Sequence, residues 1–140
     1  MNIAIINGPN LNLVGFREPS VYGTQSLDAY LSDLQQRYPG VNLNCMQTNH
    51  EGELVDAVQR YGFTFDGIII NPGGYTHTSV ALRDAIAAVK TPVIEVHLSH
   101  PAAREDFRRI SLVAPVCKGS LSGLGLFGYE AALTFFMQQH

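Results

Sequence analysis

His97 closes the apolar run PVIEVH, and Glu95 stands two residues before it. Alternate residues of a strand share a face, so the carboxylate and the imidazole are expected on one side. A carboxylate there fixes the tautomer of the imidazole and favours its protonated form, which is what a general acid needs near neutral pH. A lone histidine at a strand end is more often a satisfied structural group. Glu95 shifts that balance, because a carboxylate in an apolar strand requires a partner. Two other apolar runs also end on polar side chains, NIAIIN on Asn7 and DGIIIN on Asn71.

Asn71 lies in INPGGYTHTS (70–79), a Pro- and Gly-containing link rich in side-chain donors and acceptors. Such a link can present backbone amides to an anion or polar ligand at a helix start. It can also be only a tight turn with Thr78 or Ser79 as N-cap, and His77 fits either reading. The loop GPNLNLVGFREPSVYG (8–23) carries Arg17 and Tyr22. It far exceeds the roughly two to six residues of an ordinary strand-to-helix turn, which marks it as a lid or binding loop. In AAREDFRR, helical spacing would put Arg104 and Arg108 on one face and pair Glu105 with Arg109. One arginine can clamp an anionic or hydroxylated substrate, although the same spacing describes a solvated charged helix.

GLGLFG (123–128) has the letters of GxGxxG. The dinucleotide fingerprint, however, follows the first strand of a βαβ unit and needs an acidic residue about 20 positions later. His140 is the last residue, so no following strand is expected to supply that acid. These glycines are assigned to a close turn or helix packing. Lys118, one of two lysines with Lys90, is read as a surface residue rather than an imine-forming one.

The elements that must position these groups alternate along the chain. Strands are predicted at NIAIIN (2–7), VNLNCMQ (41–47), DGIIIN (66–71), PVIEVH (92–97) and, more weakly, SLVAPV (111–116). Leu27, Tyr30, Leu31, Leu34 and Tyr38 follow helical spacing behind a Ser26 N-cap, with Gly40 as a stop. Further helices are expected through Leu54, Val55, Val58 and Tyr61, from Ser79 to Val89, and from Tyr129 onward. Nearly uncharged runs such as GIII suit strands buried on both faces, and helices between them join parallel neighbours. The expected architecture is a flavodoxin-like α/β fold, a doubly wound parallel sheet of about five strands with helices on both faces. Ligands of such sheets bind beyond the carboxyl ends of the strands, where Asn7, Asn71 and His97 fall.

The chain has 140 residues, 46% of them hydrophobic and 15% charged, enough for one catalytic domain spanning 1–140 with a real core. A net charge of -3 and a pI near 5.9 argue against nucleic acid and anionic membrane as partners. Cys45 and Cys117 form no CxxC or Cys/His ligand pattern, so neither a disulfide framework nor a metal site is expected. No signal peptide or membrane span is read in the chain, and a cytoplasmic location is expected.

Taken in order, NGPNLNLVGFREPSVYG, NHEGELVD, INPGGYTHTS, EVHLS and GLGLFGYEAAL resemble the type II 3-dehydroquinate dehydratases of the shikimate and quinate pathways. The resemblance covers essentially the whole chain. Two positions depart from the family pattern: His100, where Asn is more common, and Gly74, where Ala is frequent. The resemblance implies reversible anti dehydration of 3-dehydroquinate to 3-dehydroshikimate through an enolate, without metal or cofactor. It implies that Tyr22, as tyrosinate, removes the C2 proton and that Arg17 stabilises that anion. His97 would protonate the departing C1 hydroxyl, oriented by Glu95, and Asn71 would support the enolate through an ordered water. The backbone at Leu98 and Ser99 would hold the substrate carboxylate, while His77 and Arg108 would contact its hydroxyls. Asp84 would reach a neighbouring subunit's site in a homododecamer, a tetramer of trimers. Elementary chemistry agrees, since a phenol of ordinary pKa near 10 needs a cation beside it to act as base, and Arg17 shares its loop. The competing classes are a non-catalytic flavodoxin-like module binding phosphate or nucleotide at the same sheet edge, and a purely structural oligomer.

Overall fold

The computed structural model describes residues 1–16 and 24–139. Ile68, Ile69 and Ile70 are each fully buried, and a run with no polar face can only be a central strand covered on both sides. That strand, β3 (Gly67–Asn71), pairs with β1 (Asn2–Asn7) on one side and β4 (Val93–His97) on the other. β2 (Asn42–Gln47) and β5 (Gly119–Ser122) form the edges, giving the all-parallel order β2-β1-β3-β4-β5. This is the flavodoxin-like order, with its switch point between β1 and β3.

The side-chain period of two sorts the strand residues onto two cores. Ile3, Ile5 and Ile69 face one side, where α1 (Leu27–Arg37) and α4 (Phe127–Gln138) pack. Ala4, Ile6, Ile68 and Ile70 face the other, covered by α2 (Glu51–Tyr61) and α3 (Val80–Ala88). The helices bury stripes at helical spacing: Leu27, Leu31 and Leu34 in α1, and Tyr129, Ala132, Leu133 and Phe136 in α4. Side-chain caps start two of them, with Ser26 accepting from Ala29 N at 3.1 Å and Ser79 from Leu82 N at 2.9 Å. Among the described residues no helix is long and apolar enough to cross a membrane.

Two expectations need correction. The run 111–116 is not a strand: it holds a 3-10 turn at Ala114–Val116, and the fifth strand follows at Gly119–Ser122. Pro115 has no N–H for a ladder, and the Ser111 hydroxyl accepts from Ala114 N at 2.9 Å, which favours a turn. AAREDFRR is likewise not one helix. It forms 3-10 turns at Pro101–Ala103 and Asp106–Arg108, separated by extended backbone at Arg104 and Glu105. The side-chain pairs therefore become Arg108–Glu105 and Arg109–Asp106, the latter at 3.3 Å, in place of Glu105–Arg109.

Candidate active site

A cleft opens beyond the carboxyl ends of β3 and β4, where strand polarity and the switch point together predict a ligand. Asn71, His77, His97, Leu98, Ser99 and Arg108 all line it. Pro9, Asn10, Leu11, Leu13 and Val14 complete one wall, and Arg104 another. Arg17 and Tyr22 lie outside the described residues. Asp84 sits on the exposed face of α3 and is not part of this cleft.

At the end of β4, Nε2 of His97 lies 2.7 Å from Oε2 of Glu95. Glu95 is 1% exposed, and hydroxyls surround its carboxylate. Thr76 donates to Oε2, Ser111 donates to Oε2 at 3.0 Å, and Ser120 donates to Oε1 at 3.2 Å. Burial pushes the Glu95 pKa up, but the bonds from His97, Thr76 and Ser111 outweigh burial and hold it below the ordinary carboxylate value. The group is thus a buried anion held against the imidazole of His97. With Nε2 engaged by the carboxylate, the imidazole offers its Nδ1 edge for proton transfer.

The segment after β4 is held from behind. Gly123 N donates to His97 O at 3.2 Å and to Ser99 O at 2.8 Å, and Gly125 N donates to Leu98 O at 3.0 Å. In a planar trans peptide the N–H points opposite to the C=O, so the Leu98 and Ser99 amides point away from this glycine loop. Gly123 and Gly125 have φ of +82 and +60, a left-handed turn that favours glycine at both positions. The dinucleotide-like letters therefore mark a turn that buttresses the cleft.

His77 Nδ1 lies 2.8 Å from the Ile110 carbonyl, which can only accept, so Nδ1 carries the proton and Nε2 is left for other partners. The Arg108 guanidinium bonds the Glu105 carboxylate through Nε and lies over the Phe107 ring at 5.0 Å. Its remaining N–H groups form a planar fork suited to hydroxyl or carboxylate oxygens. Among the described residues, no group of three or more His, Cys, Asp or Glu side chains is placed to hold a metal ion.

One lining residue and the hydroxyls behind Glu95 were not singled out from the sequence. Asn10, with φ of 71, is tied to β2's loop by its N–H to Asn49 Oδ1 at 3.1 Å; its only signal was membership of the long first loop. Thr76 lay within INPGGYTHTS, but Ser111 and Ser120 reach Glu95 from segments 16 and 25 residues away and carry no local signal.

The sequence model for dehydroquinase class II matches residues 1–137. A protein of Bacillus licheniformis named 3-dehydroquinate dehydratase is 51% identical, over 97% of this chain and 95% of its own length. One of the same name from Campylobacter hominis is 49% identical, over 99% and 90%. The crystal structure of type II dehydroquinase from Butyrivibrio crossotus superposes with a TM-score of 0.94 at 43% identity, covering 98% of this chain and 97% of that one. With the strand order and cleft described above, these matches place the chain in the class II dehydroquinase family.

Proposed function

We propose that the chain is a cytoplasmic lyase of a single catalytic domain that converts 3-dehydroquinate reversibly to 3-dehydroshikimate in the shikimate or quinate pathway. The observation that carries this reading is the convergence of Asn71, His77, His97 and Arg108 on one cleft at the strand ends. Tyr22, as tyrosinate beside Arg17, takes the C2 proton, and the electrons pass into the C3 carbonyl to give an enolate. Asn71, with an N–H available, supports that oxygen through a water. The enolate collapses to form the C1–C2 double bond while the C1 hydroxyl leaves, taking a proton from His97 to depart as water. Loss on opposite faces makes the elimination anti. Proton return to His97 and release from Tyr22 reset the enzyme.

The substrate carboxylate rests on the Leu98 and Ser99 amides, a placement supported by the engagement of the His97 and Leu98 carbonyls, which share their peptide planes, with the glycine loop. His77 Nε2 and the Arg108 fork receive the ring hydroxyls. Asp84, exposed on α3, serves the cleft of a neighbouring subunit in a homododecamer. Incubating the protein with 3-dehydroquinate and following the ultraviolet absorbance of the conjugated enone tests the reading. Steady growth of that absorbance is expected; a flat trace under conditions where the protein is folded rejects it.

A further inference from the structure

We propose that Tyr129 is a positioning residue for the enolate step, acting through the amide of Asn71, and that the GLGLFGY segment exists to set it there. The inference rests on the dehydration reading above. Tyr129 is fully buried on α4, and its hydroxyl sits beneath the carboxyl ends of β1 and β3. It donates to Asn7 Oδ1 at 2.5 Å and accepts from Asn71 Nδ2 at 3.2 Å. Asn7 and Asn71 are register partners on adjacent strands, so one phenol ties both strand ends at the switch point. A single partner would satisfy a buried phenol. Here the two partners are the side-chain amides that finish two strands.

The consequence lies in how Asn71 spends its hydrogen bonds. Its Oδ1 accepts from Gly73 N at 3.2 Å, and one Nδ2–H goes to Tyr129. Turning the amide over would set Nδ2 against the Gly73 N–H, donor on donor. The Tyr129 proton is already committed to Asn7. The orientation is therefore fixed from both ends, and beside a second lone pair on Oδ1 the amide keeps one Nδ2–H, a donor for the cleft that Asn71 lines. A donor is what an enolate oxygen, or a water held on it, requires. Burial pushes the Tyr129 pKa well above the ordinary phenol range, so the hydroxyl keeps its proton at any working pH. The bonds run in one sense, Asn71 to Tyr129 to Asn7, so each polarises the next.

The glycine segment explains how the phenol arrives there. A Cβ on Gly128 would stand 3.0 Å from Val96 Cγ1, so glycine lets the first turn of α4 lie close on β4. Tyr129 follows at once and enters beneath the strand ends.

The test is a double-mutant cycle on the full chain using Tyr129→Phe, Asn71→Ala and the pair, with kcat and KM for 3-dehydroquinate and C2 proton exchange with deuterated solvent. Tyr129→Phe is expected to lower kcat about tenfold to a hundredfold and slow exchange, with KM within about twofold. In the Asn71→Ala background the further loss should stay below about twofold. An unchanged kcat in Tyr129→Phe, a change confined to KM, or losses that multiply in the pair would overturn the proposal. Should Tyr129→Phe not fold, as judged by its thermal melt, the same cycle with Asn7→Ala at the far end of the chain decides it by the same criteria. A wild-type protein inactive on 3-dehydroquinate removes the dehydration reading and this inference with it; wild-type activity with multiplying losses removes only the role of Tyr129.

Discussion

Glu95 Oε2 lies 2.7 Å from His97 Nε2, and the same carboxylate takes hydrogen bonds from Thr76, Ser111 and Ser120 while only 1% exposed. A buried carboxylate left alone would be driven to its neutral acid. Four donors reverse that tendency, so the strand end carries a fixed negative charge against the imidazole.

The first prediction concerns acid stability. The folded Glu95 pKa lies below its ordinary 4.5, because the bonds from His97, Thr76 and Ser111 outweigh the upward push of burial. Its stabilising contribution is therefore complete above 4.5 and is lost as pH falls through the lower folded value. Glu95→Gln should lower stability at neutral pH by about 1–3 kcal/mol, since an amide leaves some of the hydroxyls mismatched. It should also flatten the fall in Tm between about pH 5 and pH 3. Glu105 and Glu130 are depressed as well, so the acid limb shrinks without vanishing. Melts across this range check it; an acid limb as steep as the wild type's would assign it to other carboxylates.

His97→Ala should fold and bind substrate but lose about 10²- to 10⁴-fold in kcat, the usual range for a removed general acid. Because His97 acts on the leaving hydroxyl and not on the C2 proton, solvent exchange at C2 should persist while enone formation collapses. Equal loss of both would place the histidine in the first proton transfer.

Much of this arrangement was legible in the sequence, for local reasons. Asn7, Asn71 and His97 each end an apolar run, and a parallel sheet gathers its carboxyl ends at one edge, so their convergence follows from topology. The pairing of Glu95 with His97 follows from the period of two. What escaped notice depends on contacts distant in sequence. Tyr129 meets Asn7 across 122 positions, and its neighbours in the chain suggest only a helix start. Ser120 reaches Glu95 because β5 pairs with β4, and that strand was placed too early: SLVAPV looks more apolar than GSLS. An edge strand with a half-exposed face leaves only a weak hydrophobic signal.

A packing prediction follows from Gly67, the first residue of β3. A Cβ there would stand 2.7–2.8 Å from three atoms of the Phe136 ring, which is 3% exposed and cannot swing into solvent. Gly67→Ala should therefore destabilise the fold by about 1–3 kcal/mol, the cost of overpacking a closed core. Phe136→Leu should recover part of that loss in the double variant. Additive denaturation midpoints would mean that the ring is not the obstacle.

Asp84 is exposed on α3 and absent from its own subunit's cleft, so its proposed service is across a boundary. Asp84→Ala and His97→Ala subunits, each nearly inactive alone, should regain activity when co-expressed, because mixed assemblies hold some sites with both residues. Light scattering should give a mass of many chains. A single-chain mass, or no recovery on mixing, would confine Asp84 to its own subunit.

Tyr22 and Arg17 act as a unit in the proposed mechanism. A phenol of ordinary pKa near 10 is almost wholly protonated at neutral pH, and a tyrosinate base needs a cation close by to lower it. Arg17 lies five positions away in the sequence. Tyr22→Phe should abolish C2 proton exchange while leaving the melt and ligand binding near wild type. Arg17→Lys should not be neutral, because a flexible point charge does not reproduce a planar guanidinium held by several hydrogen bonds. Its loss in kcat should exceed its rise in KM, as for an interaction made mainly in the transition state. The acid limb of the kcat/KM profile should also move to higher pH in Arg17→Lys, since a poorer cation lets the phenol pKa climb back toward its ordinary value and the tyrosinate then forms only at higher pH. Exchange of the C2 proton at the wild-type rate in Tyr22→Phe would mean that another group is the base, and the elimination would have to begin elsewhere in the cleft.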